Sequence, residues 1–277
     1  MAQNEAFHEQ VLNNPVNLHP SLAGWHGGVG IYATSQQQFV GLDGRPETTG
    51  AAVDGYVDKL RTAFAVNVQR DRFGQLVFDK YQLVASPKIA LGTKSTLMPS
   101  VAFNYHDLRI GSNWRMNSLN STSSFNTSTG SSITAGLAFT HQNLFAAVTF
   151  HNLIRTSGEA SPGTIMSMSA GYHFQVNDNW SITPTVNAQS NNYSSAYQLS
   201  ATVRWKELFV TPHYTWKDRT GLALGVDLAE RVRFSVLVSS RSTIEGGFSS
   251  TTYEAGFRAL LFKDKAKRRF LKDLPVN

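Results

Sequence analysis

The sequence contains no cysteine, which excludes disulfides, thiol catalysis and a lipid anchor on an N-terminal cysteine. Charge is scarce too, at 16% of residues against 41% hydrophobic. No apolar run approaches the ~18 to 20 residues that a membrane-crossing helix needs. Entry into a bilayer would therefore be by strands, because only helices and closed barrels satisfy their backbone polar groups in lipid. No basic and apolar leader follows Met1, where the chain reads Ala2, Gln3, Asn4, so the numbering reads as that of a mature or recombinant product. Phosphate loops, nucleotide fingerprints, His-x-His pairs and acidic clusters with metal-ligand spacing are absent, so no cofactor or metal is expected. The net charge of +6 is a weak sign of nucleic acid, since much of the excess sits in one tail, Lys263 to Lys272. That tail is a solvated basic end, or a contact for anionic lipid or an acidic partner.

What the sequence does have is alternation. Residues 163 to 241 place an apolar residue at every second position over six segments. Met166, Met168, Ala170, Tyr172 and Phe174 form the first set, Trp180, Ile182, Pro184, Val186 and Ala188 the second, and Tyr197, Leu199, Ala201, Val203 and Trp205 the third. Leu208 to Trp216, Leu222 to Leu228 and Val232 to Val238 continue it. Period two means strands. A soluble sheet would cover its polar face with charge, yet here the residues between are mostly Ser, Thr, Asn and Gln. The apolar face also begins or ends in Trp or Tyr (Tyr172, Trp180, Tyr197, Trp205, Tyr214, Trp216), the girdle position of a membrane interface. The fold class read from this is an all-β transmembrane antiparallel up-and-down β-barrel.

The same period assigns strands to residues 28–37, 49–57, 77–90 and the segments between and beyond them, about fourteen in all. Leu60, Phe64, Val66 and Val68 belong to the third. The barrel spans 28–262, after an N-terminal segment 1–27 and before a basic tail 263–277. Pro15 and Pro20 forbid a regular helix across the N-terminal segment, which reads as ordered and tucked against or inside the barrel, or else as a frayed terminus. Connections after even-numbered strands are short. Those after odd-numbered strands are mostly longer, around Gly44, Arg72, Asn120, Gly158 and Gly246, and residues 109 to 130 form the longest. An even count, short periplasmic turns and longer outer loops place both termini in the periplasm. Fourteen strands leave a lumen that ~8 would fill and ~16 to 18 would open as a channel. Asp54, Tyr56, Arg61, Lys80, Lys88, Asp227, Arg231, Arg233, Glu254 and Arg258 point inward, as pairs across the interior or as a selective ion path.

Two runs resemble a known family. Asn14-Pro15-Val16-Asn17-Leu18-His19-Pro20-Ser21-Leu22-Ala23-Gly24, and Gln38-Phe39-Val40-Gly41-Leu42-Asp43-Gly44-Arg45-Pro46-Glu47-Thr48 in the first loop, are similar to motifs of the PorP/SprF family of outer-membrane proteins of the type IX secretion system in Bacteroidota. His19, Ser21 and Phe39 depart from the family pattern, marking a divergent member. Ala135 to Ile154, with Gly136-Leu137 and His151-Asn152-Leu153, resembles the family's central hairpin. The motif residues carried over are Asn14, Pro15, Pro20, Ala23, Gly24, Gln38, Gly41, Gly44, Pro46 and Thr48.

The resemblance implies export or surface anchoring of a large secreted cargo protein such as a gliding adhesin, recognised through its C-terminal sorting domain. Association with periplasmic lipoproteins of the machinery is the PorP-like variant of that role. Physically, Trp114, Phe125 and Phe248, isolated aromatics in long Ser/Thr/Asn-rich loops, are candidate cargo contacts. Lys265, Lys267, Arg268 and Arg269 are candidate periplasmic contacts. An outer-membrane diffusion channel or hydrophobic-substrate transporter is the alternative. Catalysis is not expected: His106, His141, His151, His173 and His213 stand singly, and the adjacent pair His106-Asp107 has no distinguishable serine partner.

Overall fold

The structure, a computed structural model, describes residues 14–41, 43–110, 127–156, 163–192, 194–229, 231–241 and 251–261. Fourteen strands form one sheet: β1 (Val29–Gln37), β2 (Glu47–Val57), β3 (Thr62–Phe73), β4 (Leu76–Pro87, continued by Ile89–Ala90), β5 (Ser95–Ile110), β6 (Ser128–His141) and β7 (Leu144–Arg155) come first. They are followed by β8 (Ile165–Tyr172, continued by Phe174–Gln175), β9 (Trp180–Ser190), β10 (Ser195–Trp205), β11 (Leu208–Thr215), β12 (Arg219–Leu228), β13 (Val232–Arg241) and β14 (Thr252–Leu261). Each strand pairs antiparallel with the next, and β14 returns to β1 from Val29↔Leu261 to Gln37↔Tyr253. The barrel is closed. A single helical turn, α1 (Pro15–Leu18), and a 3-10 turn at Pro20–Leu22 precede it.

Period two sorts the side chains as the alternation requires. Outward Leu83, Leu199 and Val236 are each 58% exposed, while inward Gln82, Asn104 and Gln198 are buried. In water this would be an inverted protein, and in lipid it is the stable arrangement. Aromatic pairs mark two belts. Trp180 and Trp205 are register partners with rings 6.2 Å apart, and Tyr172 lies 4.6 Å from Phe174, all at the end where β1 starts and β14 finishes, called here the near end. Tyr81 with Tyr105 and Tyr214 with Trp216 mark the far end, at 6.3 and 6.1 Å. Just past Tyr81 and Tyr105 the outward face turns from apolar to charged: Asp79 is held by Arg70 at 2.6 Å and by Arg109. That change of chemistry marks the membrane edge on β3 to β5.

Several expected boundaries move. Leu60 belongs to a 3-10 turn at Asp58–Leu60, and β3 begins at Thr62. Arg61 closes that turn in the left-handed conformation, φ 49°, and Arg231 lies in the β12–β13 turn. Both are exposed rather than inward. Arg72 lies within β3, and the connection after it is the tight turn at Gly74 and Gln75, with Phe73 paired to Leu76. The polar chemistry of Arg70, Asp71 and Arg72 resembles a loop, but it is a strand continuing beyond the membrane edge. For the same reason the longest connection shrinks to 111–127, because β5 runs to Ile110 and β6 starts at Ser128. Trp114, Phe125, Phe248 and the basic tail with Lys265, Lys267, Arg268 and Arg269 lie outside the described residues.

A cation on the lipid face measures the solvent that face expects. Val236→Arg, in the middle of β13, is expected to lower folding stability in phospholipid vesicles by about 2–4 kcal/mol. Urea titration followed by the heat-modifiable gel shift reads the change.

Candidate functional site

The near half of the lumen is occupied by the chain's own N-terminal segment. Two prolines set its course: Pro15 opens α1, His19 breaks the helix in extended geometry, and Pro20 starts the 3-10 turn. Each sits where a missing N–H costs nothing. Val16, His19, Ser21, Leu22 and Ala23 are all at most 1% exposed. Val16 and Ala23 pack with Tyr32, Ala52, Ala63, Ala65, Val84 and Ala102 on the barrel's inner face. Leu22 and Trp25 pack against Met98, Ala138, Phe145 and Ala147. The run of alanines leaves the width into which the larger knobs of the segment fit.

Polar contacts fasten it. Asp54 accepts from the backbone N–H of Gly24 at 2.7 Å, from that of Gly30 at 3.1 Å and from the Tyr32 hydroxyl at 3.2 Å. Asn67 donates to Asn17 at 2.9 Å. Ser86 and Lys88 both donate to the carbonyl of Ser21, at 3.1 and 3.2 Å. His19 stands between Thr149 and Ser169 at 2.9 and 2.7 Å. From Ser169 the chain of contacts runs through Asn187 to Gln198 at 2.7 and 3.0 Å. One imidazole thus connects with four strands, β7 to β10. Burial, reinforced by His151, lowers the His19 pKa to about 3.

The opposite wall at the near end carries a cation cluster. Asp227 binds Arg233 through two contacts of 2.6 and 2.5 Å, touches Arg204, and lies 3.7 Å from Arg258. The guanidinium of Arg233 rests 4.6 Å above the Phe209 ring. That ring in turn lies against Gly225, its direct cross-strand partner, where any Cβ would collide with it. Phe145 covers its partner Gly171 in the same way. Phe145 and Phe209 are inward aromatics in otherwise polar rows, and sequence reasoning passed over them. The signal, a phenylalanine opposite a glycine, is legible only once the register is known.

Of the inward charges expected, Asp54, Lys80, Asp227, Arg233, Glu254 and Arg258 are buried and Lys88 is half-buried. The charged pairing that is seen, Asp227 with Arg233 and Arg258, runs along one wall between the neighbouring strands β12, β13 and β14 rather than across the interior. The two motif runs are not brought together. Asn14, Pro15, Pro20, Ala23 and Gly24 lie in the lumen, whereas Gln38, Gly41, Gly44 and Pro46 form the far-end β1–β2 connection, with Thr48 buried in β2. That connection reaches its neighbours. Gly74 donates to the carbonyl of Gly44 at 2.9 Å, Val40 to that of Thr251 at 3.2 Å, and Arg241 covers Phe39 at 5.4 Å.

His106 is buried, 3.0 Å from Ser132 and stacked on Phe78. Asp107, on the other face of β5, faces Arg109 at 3.3 Å. Adjacent strand residues point to opposite faces, so the pair does not converge. Among the described residues, no group of three or more His, Asp or Glu is placed to hold a metal ion.

The family model described as type IX secretion system membrane protein PorP/SprF matches residues 1–258. Among solved structures, the chain is similar in fold to the outer membrane protein Omp33 of Acinetobacter baumannii, with TM-score 0.52 and 10% identity over 84% of this chain and 98% of that one. KdgM porin gives TM-score 0.42 at 10% identity, covering 83% and 98%. No curated protein matches.

Two outcomes follow from the seat of the N-terminal segment. The His19 pKa is lower when folded than its ordinary 6.5, so its contribution is fully present above that value and is lost as pH falls toward about 3. A denaturation-midpoint series from pH 7.5 to 4 is expected to slope downward in the native chain and to flatten in His19→Gln. Asp54→Asn is expected to cost about 1–3 kcal/mol by removing a charged acceptor from two buried N–H groups.

Proposed function

This chain belongs to the PorP/SprF family of type IX secretion system membrane proteins and is an outer-membrane β-barrel, and we propose that it partners with a large secreted surface protein, anchoring it or assisting its export. The observation that carries this reading is the filled near half of the lumen: the chain's own segment takes the space a solute would need. A barrel of this kind works through its ends. We assign no catalytic role to it, in keeping with His106 and Asp107 pointing apart.

The near end, with its short turns, faces the periplasm in this reading, and the far end faces the cell exterior. Trp114, Phe125 and Phe248 in the far-end connections would then meet the cargo's C-terminal sorting domain. Lys265, Lys267, Arg268 and Arg269 would meet an acidic periplasmic partner such as a lipoprotein of the secretion machinery. The alternative, a diffusion channel, would need an unobstructed lumen.

Mild-detergent affinity purification from native membranes, with mass spectrometry of stoichiometric partners, tests the proposal. A large secreted protein ending in a sorting domain is the expected companion, and deletion of Ser112 to Thr127, which stops short of β6, is expected to release it. Recovery of the barrel alone, or retention of the cargo after the deletion, would count against the respective part.

A further inference from the structure

We propose that residues 14–26 are a releasable stopper, and that the barrel from which they are displaced is a conduit for small anions. This goes beyond partner binding and does not depend on it. Fourteen strands enclose more width than wall side chains fill. The segment supplies what is missing, so its departure would open the path.

Three features distinguish a stopper from a permanent core. Much of its seat is hydroxyl and amide: Asn67, Ser86, Thr149 and Ser169 all hold it through hydrogen bonds. Water can take over each of those contacts when the segment leaves. The apolar part of the seat is largely alanine, which exposes little oily surface when vacated. Between the segment and β1 stands Gly27 at φ 69°, a conformation that glycine adopts without strain and from which it can swing.

The charge of the mouth sets the ion preference. Arg204, Arg233, Arg258 and Lys88 face the near-end lumen against Asp54 and Asp227. A constriction lined with surplus cations favours anions over cations.

The test uses the full chain with Leu22→Asp and Trp25→Asp, which place carboxylates in the apolar part of the seat. Because the protein lacks cysteine, Ala23→Cys adds a single thiol whose reaction with a maleimide reports whether the segment is seated. The heat-modifiable gel shift confirms that the barrel is folded, and Trp25→Ala replaces the double substitution if it is not. Expected are a protected thiol and silent planar bilayers for the chain carrying Ala23→Cys alone. In the substituted chain, the thiol should react about tenfold faster or more, with stepwise conductance whose reversal potential in a KCl gradient favours chloride by roughly twofold or more. A thiol that stays protected in the folded variant overturns the proposal, as does a reactive thiol without conductance. Equal conductance from the parent chain, or a preference for potassium, overturns it as well.

Discussion

Everything in this molecule depends on the closure of one hydrogen-bonded ladder. In lipid an unpaired strand edge has no water to satisfy it, so β14 must return to β1, and it does so along the whole of β1, Val29 to Gln37. Once closed, the sheet has only two faces. One must suit hydrocarbon and the other cannot avoid polar backbone and water, which is why Leu199 and Val236 lie outside while Gln82 and Asn104 lie inside. The aromatic pairs at the two ends and the sudden charge at Asp79, Arg70 and Arg109 state where the lipid stops.

Closure at fourteen strands creates the second problem, that of the interior. The walls solve it locally with large inward side chains laid over glycine, as Phe209 lies over Gly225 and Phe145 over Gly171. They solve it globally by admitting the N-terminal segment. The interior this produces is mostly polar, and part of it is joined in rows across strands, such as Gln82 to Asn104 to Ser132 to Asn152. Such rows cost little to bury because each member meets a partner. The grouping of Arg204, Arg233 and Arg258 on Asp227 is a different matter, since buried ion pairs roughly break even against their desolvation. It ties β10, β12, β13 and β14 together and gives the near-end lumen its positive character.

The two ends therefore differ in kind. At the near end, turns are short and the lumen is occupied by the chain itself. At the far end, β3 to β5 rise past the aromatic belt, and the β1–β2 connection folds over to reach Gly74 and Thr251. The two sequence runs that resemble family motifs divide between these ends, one in the lumen and one in the connection. Each is packed against several strands rather than left in solution. Through His19 the lumenal run contacts both Thr149 and Ser169.

The strand count, the sorting of side chains between lipid and lumen, and the girdle positions were all legible in the sequence. Each follows from period-two alternation, which is a property of a single strand and its solvent. What escaped was whatever depends on which strand stands opposite which, or on where the membrane ends. Arg72 read as loop because polar residues look alike in a loop and in a strand that has left the bilayer. Arg61 and Arg231 read as inward because alternation was carried one step too far, into turns. The meeting of His19 with Thr149 and Ser169, 130 and 150 residues away, the two phenylalanines over their glycines, and the separation of the motifs were decided by tertiary structure alone. Register between strands and the path of an unpatterned segment through a lumen are set by closure of the whole barrel, and no local stretch of sequence contains them.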